Sequence, residues 1–587
     1  MKNRMRYRAL RGNREGFALA LVLVVVMAIA GIAAGAAILG SSSFVMTLQE
    51  ERRGLMVGAA NAGLEEGRAR INGDKSLYPD SLWTTLENGA PVLDASGATI
   101  PGVTRWTYVG PTGITTGQYG VFGSVVSVVQ DANGDRVIRR LEVLQESFAK
   151  YAYFTDIDYS ANISFGGGDQ IFGPVHSNDS INILSSGATF HKRVSTAKMI
   201  LNKPYGTFLD VVNEFAPRIP MPVTADLNKL RTYAQAGSTH IISSDSGNFA
   251  QATTRLEFMA VDLDSDGLVD GKDEGFMRVY KAPFAAGAKW IAGDTLASAS
   301  NYNHCGDYHA GGIFVRASQH PTSPATHTAA SSLTQANRRC YLGGVDSLWN
   351  GFVASNAFGA YQAWTGAVDP RLAGRPDANY LWPITRALNP DFKGVIFVDG
   401  KVLIHGQVRG RITLASTHNI IIGDDVKYVT DPSKGTCADI LGLFSAQDVV
   451  LADNAVNSPF NPPGSGTMRS YDESTGEFIH AVVLALDNFL VENYNTGPTN
   501  FEDCNTTDWG RGCLLLTGGI IQRQRGAVGT GGGTGYLKRY SYDACAATDP
   551  PPYFPTTGHF IANRYFDIDP TGFNIAALFA SLTPPGI

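Results

Sequence analysis

Charge is what this sequence has least of. Only 17% of its 587 residues are Asp, Glu, Lys or Arg, and none lies between Gly16 and Gln49. A helix without charge over that length has no polar face to offer water, which excludes a solvated surface helix there. Cysteine is absent before residue 305. The six that follow, at 305, 340, 437, 504, 513 and 545, include no C-x-x-C pair, which argues against a zinc knuckle. Basic residues crowd into Met1–Gly16; without that segment's six cations and Glu15 the body keeps 41 basic against 52 acidic residues, a net charge of −11. Such a body has no electrostatic footprint for nucleic acid, and no nucleic-acid partner is expected. G-x-S-x-G and H-E-x-x-H are missing, and the glycine run 526–535 lacks the G-K-[ST] that would cradle a phosphate. No catalytic residue is nominated, and the chain reads as non-enzymatic.

What is present is a chain long enough for two to four domains, 44% hydrophobic and 10% aromatic, with 65 glycines, a composition of turn-rich β-proteins. Lys2, Arg4, Arg6, Arg8, Arg11 and Arg14 form a leader that stays cytoplasmic. The uncharged run behind it exceeds the roughly 20 apolar residues that span a bilayer. Small residues in "GIAAGAAILG" leave open a cleaved secretory signal, and length alone leaves open a plain single-pass anchor. The next stretch, "LQEERRGLMVGAANAGLEEGRARING", continues as helix. Met56, Ala60, Leu64, Gly67 and Ile71 share one face, and Asn72-Gly73 ends the helix.

"REGFALALVL" resembles a type IV prepilin cleavage site, and "ANAGLEEGRAR" is similar to a stretch of PilX-like minor pilins. The resemblance covers about the first 70 residues. It implies cutting by a prepilin peptidase after Gly16, with Phe17 the new and methylated N-terminus. It further implies residence in the inner membrane and then in a cell-surface filament, with other pilins as partners. Type IV pilins usually carry Glu at the fifth mature position, where this chain has Leu21; some minor pilins at filament ends lack that Glu. Small residues from Gly31 to Ala37 let such stalks approach closely.

The expected fold is α+β: a 17–72 stalk helix, half transmembrane and half amphipathic, behind a 1–16 leader, then a large, mainly β head. Residues 73–150 read as a small β-rich unit, with "DANGD" (131–135) as a turn between two strand-like runs. In 151–587, "VHSNDSINI", "FVDGKVLI", "LASTHNIII" and "LFSAQDVVL" share one grammar: apolar start, short polar turn, then β-branched residues. Units of this kind must stack to bury a face, which predicts rungs of a β-solenoid or parallel β-helix over 395–456 with 175–197 joining them; an ordinary β-sandwich is the alternative. Scattered pieces of 172–555, among them "FGPVHSN", "EFMAVDLDSDG" and "LGLFSAQDVVL", resemble a group of bacterial pilus-associated proteins. That resemblance implies a secreted head and brings no activity with it.

The sharpest candidate site is "VDLDSDGLVDGKDEG". Asp262, Asp264 and Asp266 occupy positions 1, 3 and 5 of an EF-hand-type loop, Gly267 the sharp turn, and the Leu268 carbonyl, Asp270 and Asp273 positions 7, 9 and 12. Hard oxygen ligands at that spacing predict Ca²⁺, the alternative being a solvated acidic turn. Cysteines in an oxidising compartment predict disulfides. Of fifteen possible pairings, Cys305–Cys340, Cys504–Cys513 and Cys437–Cys545 are expected, with buried free thiols as the alternative. His304, Cys305, Asp307 and His309, near His320 and His327, read as polar surface and a disulfide before a zinc site. Trp349, Tyr361 and Trp364 read as core before a sugar platform. The function expected is a minor pilin-like subunit with an extracellular head, at the filament tip in assembly or adhesion to surface glycans or host surfaces. A secretion-system pseudopilin and a membrane-tethered periplasmic carbohydrate-active enzyme are the alternatives.

Overall fold

The uncharged run and the amphipathic run are one helix, Arg14–Gly73. The computed structural model describes residues 14–113, 118, 120–159, 163–286, 359–375, 377–452, 477–492, 494–495, 513–530 and 534–582, with short strand pieces between 308 and 356. The long helix is followed by a large β-rich head, an α+β architecture. The chain divides into two units: Met1–Thr112, Gly123–Val143 and Ala562–Pro585 form one, and Gly113–Phe122, Leu144–Ile561 and Gly586–Ile587 the other. The small unit is therefore not the continuous 73–150 block read from sequence, because a segment near the C-terminus returns to it.

In the first unit, five strands lie in the order Thr84–Leu93, Thr99–Pro111, Phe122–Asp131, Arg136–Ser147 and Thr556–Ile568. "DANGD" makes the turn before Arg136, the Asp131 carboxylate accepting from the Asn133 and Asp135 N–H groups at 2.8 and 3.0 Å. The run "VVSVV" in the middle strand is apolar without alternation because both of its faces are covered. Val129, with Val92 and Val103, packs against Met56, Ala59 and Ala60 of the long helix. Val126 and Val128 pack against Phe579 of the C-terminal helix Ile575–Leu582. Met56, Ala60, Leu64 and Ile71 are all 3% exposed or less, as the helical spacing predicts. Arg105 clamps the seam, reaching Glu66 on the helix at 2.5 Å and Glu87 on the edge strand at 2.7 Å. N-terminal of the seam nothing in the unit covers the helix, and Phe17, Leu39, Phe44 and Met46 are 63–75% exposed.

In the second unit, short strands pair in parallel, rung on rung. Val395–Asp399, Arg411–Ser416, Ile440–Ser445, Glu477–Ala485 and Cys513–Gln524 follow one another in register. The last of these then pairs with Tyr153–Ile157, which leads on to Val175–Ser177, Val194–Thr196 and Val212–Glu214. The chain thus enters mid-stack, runs out to one end, and crosses back past the helix Ala225–Ala236. It restarts at His240–Ile242, which pairs with Val395–Asp399. Four polar corners repeat one device: the side chains of Ser177, Thr196, Ser416 and Ser445 accept from the backbone N–H two residues on, at 3.1–3.2 Å. Inward residues such as Ile396, Leu414, Leu443 and Val483 form the core, and the opposite face is sealed by Leu227, Leu230 and Ala234 of the crossing helix.

The helix–sheet seam requires two glycines, Gly63 and Gly67. A Cβ on Gly67 would lie 2.6 Å from Val125 Cγ1 and 3.1 Å from Thr107 Cγ2, whereas one on Gly58 would meet nothing within 4 Å. Gly67→Ala should therefore destabilise the full chain in detergent by about 1–3 kcal/mol. Gly58→Ala should be neutral or stabilising by up to about 1 kcal/mol through helix propensity. Thermal unfolding of the two variants side by side checks the docking register.

Candidate metal centre

The acidic loop joins two antiparallel strands, Ala252–Ala260 and Gly275–Ala286. It is a hairpin loop and lacks the flanking helices of an EF-hand. Its base is held rigidly. Arg278, 1% exposed, makes a two-pronged contact with Glu257 at 2.7 and 3.0 Å and a third with Asp377 at 3.2 Å. Burial alone would lower the Arg278 pKa, but Glu257, Tyr361 and Asp377 together hold it above the ordinary value. His405, on the parallel strand beside this hairpin, is held well below the usual histidine range by burial and by Arg255 and Arg278.

Within the loop the side chains of Asp262, Asp264 and Glu274 come together, one carboxylate oxygen from each lying within 4.8 Å of the others. Asp262 accepts from the Ser265 and Gly267 N–H groups at 2.7 and 2.9 Å, and Gly267 takes the positive φ of 87° that the turn demands. Asp266 accepts from the Leu268 N–H at 2.8 Å. Asp273, expected as the closing ligand, instead forms a 2.7 Å salt bridge to Arg371. Its neighbour Glu274, 2% exposed, turns in, accepting from the Leu263 and Gly271 N–H groups at 2.9 and 2.7 Å. The Asp270 carbonyl accepts from Arg409, which also donates to the Gly271 carbonyl at 3.0 Å, tying the loop's second half to the stacked rungs. The donor set is all oxygen and rich in carboxylate, the chemistry that suits a hard divalent cation. The sequence pattern located the loop and ranked Asp273 above Glu274; the signal for Glu274 is its place directly before the strand Gly275–Ala286, whose start fixes its direction.

Cys437 and Cys545 are joined in a disulfide, Cα atoms 5.3 Å apart, across 108 residues of chain. Residues 304–307, 320, 327, 340, 349 and 504 and the side chains of His309 and Cys513 lie outside the described residues, so the histidine cluster, Trp349 and the other two disulfides do too. Tyr361 is packed, its hydroxyl accepting from Arg255 at 2.7 Å, and Trp364 lies against Trp382 at 5.4 Å. Both serve packing.

No family model matches the chain, and no curated protein does. Among solved structures, the competence-associated pilin ComZ from Thermus thermophilus aligns over 87% of this chain and 96% of its own, at 10% identity and a TM-score of 0.25. At that score the likeness carries no argument about fold or function.

Proposed function

We propose that the chain is a minor pilin-like subunit of a type IV filament: anchored first in the inner membrane, cut by a prepilin peptidase after Gly16, then packed by its stalk among other pilins. The observation that carries this reading is the divided helix. Its C-terminal turns are pinned to an antiparallel sheet, while Phe17–Gly40 is uncovered, apolar and about 36 Å long at 1.5 Å per residue. That already fills a bilayer core of about 30 Å. Yet Phe44, Val45, Met46 and Leu48 continue uncovered, 48–64% exposed. Three hydroxyls of this stretch need no water: Ser41, Ser42 and Thr47 donate to the Ile38, Leu39 and Ser43 carbonyls at 2.9–3.0 Å. An apolar surface that outruns the membrane calls for a second apolar partner, and neighbouring stalks supply one. Leu21 in place of the pilin glutamate leaves a neighbour's N-terminal amine without its carboxylate, a costly burial, and favours a place at the filament tip. There the head meets surface glycans or host surfaces. Replacing the small residue at the cut, Gly16→Leu, should leave a full-length precursor in the inner membrane and none in filaments; wild-type processing of that variant would overturn the pilin reading.

The loop is proposed to hold Ca²⁺ through Asp262, Asp264, Asp266 and Glu274, with the Leu268 carbonyl and Asp270 as further oxygen donors. Glu274 stands in for Asp273, which Arg371 neutralises. Extracellular modules of this kind bind at about 10⁻⁴–10⁻³ M. At ten to a hundred times Kd, calcium should stabilise the folded chain by about 1–3 kcal/mol, seen as a rise in Tm. Asp262→Asn with Asp264→Asn removes two charges and keeps one of the two backbone hydrogen bonds that Asp262 accepts, so the rise should vanish. An equal rise in that double variant would make the loop an acidic turn.

A further inference from the structure

Against a body of net charge −11, one cavity in the second unit is lined by an excess of positive charge. Its volume is about 640 Å³, within the range of small-molecule sites. Four cations, Lys272, Arg386, Arg409 and Arg411, line it against two carboxylates, Asp270 and Asp549. Two of the four are already committed. Arg409 pairs with Asp439 at 3.3 Å besides holding the acidic loop, and Arg411 pairs with Asp549 and donates to the Asp549 and Pro550 carbonyls at 2.9 and 3.1 Å. These contacts build the wall. Lys272 and Arg386 are exposed at it and have no hydrogen-bond or ion-pair partner among the described residues.

Apart from Gln118 and Thr385, the remaining lining is apolar. Ile384 and Phe392, 1% and 2% exposed, lie beneath, with Ala438 and Pro552 beside them. Thr385, 7% exposed, also lines the cavity, but its hydroxyl oxygen is buried away from it. Uncompensated cations beside an apolar wall call for a ligand that pairs a carboxylate with an apolar C–H face. We propose that this cavity binds an acidic sugar, the carboxylate on Lys272 and Arg386 and one sugar face against Phe392 and Pro552. The cations give selectivity over neutral sugars, since a neutral sugar leaves Lys272 and Arg386 without the carboxylate that would pair with them. Such a site stands whether or not the stalk enters a filament.

The test is isothermal titration of the full chain in neutral detergent at constant calcium, with digalacturonate as the probe. Saturable binding is expected, weakened at least tenfold by Lys272→Gln with Arg386→Gln, two exposed substitutions that leave the fold intact. Ala438→Trp, which fills the cavity, should weaken it as strongly, and the neutral digalactose should bind at least tenfold less well. Absence of saturable digalacturonate binding, or binding unchanged in the Lys272/Arg386 double variant, would overturn the proposal. Inorganic phosphate binding as tightly as digalacturonate would overturn its assignment to a sugar.

Discussion

Everything about this protein's use of its N-terminus depends on where the long helix stops touching its own chain. The seam is set by contact distance. Gly63 and Gly67 bring the helix backbone close to Ser127 and Val125, and Arg105 fastens it between Glu66 and Glu87. Beyond Arg52, which reaches Asp131 at 2.7 Å, the helix has no ionic tie to the sheet among the described residues, and N-terminal of Glu50 it carries no charge until the leader. The same helix is therefore a rigid part of a folded unit at one end and an unsatisfied apolar rod at the other. The hydroxyls of Ser41, Ser42 and Thr47 are spent on its own carbonyls, which lowers what their burial in an apolar environment costs.

Much of this was legible because helical periodicity is a local property. Met56, Ala60, Leu64, Gly67 and Ile71 mark one face by spacing alone, and the structure buries that face against the sheet. The repeated segments of the head were legible for the same reason. At Ser177, Thr196, Ser416 and Ser445 the side chain that turns the corner bonds two residues along, so its signature sits inside a nine-residue window. The order of the stack was not legible. Cys513–Gln524 pairs with Tyr153–Ile157 across some 360 residues, through backbone hydrogen bonds that any β-branched strand can make. Nor did the sequence announce that Thr556–Ile568 would close the small sheet, since its exposed edge reads like any amphipathic strand.

The candidate site divides along the same line. Aspartates at alternate positions before a glycine are a short-range signal; of those so marked, the structure brings Asp262 and Asp264 together with Glu274. Whether Asp273 or Glu274 completes it depends on Arg371, almost a hundred residues away, which captures one and leaves the other to cap the loop. The cationic cavity was invisible for a related reason: Lys272, Arg386, Arg409 and Arg411 are unremarkable one by one, and only the stacking of rungs beside the hairpin gathers them.

The central claim is that the apolar rod ends as a stalk inside a filament. N-terminal sequencing of this protein from sheared, membrane-free filaments tests it most directly. A terminus at Phe17 is the result this account predicts. A terminus at Met1, one among the small residues of 31–40, or absence of the protein from the filaments would contradict it.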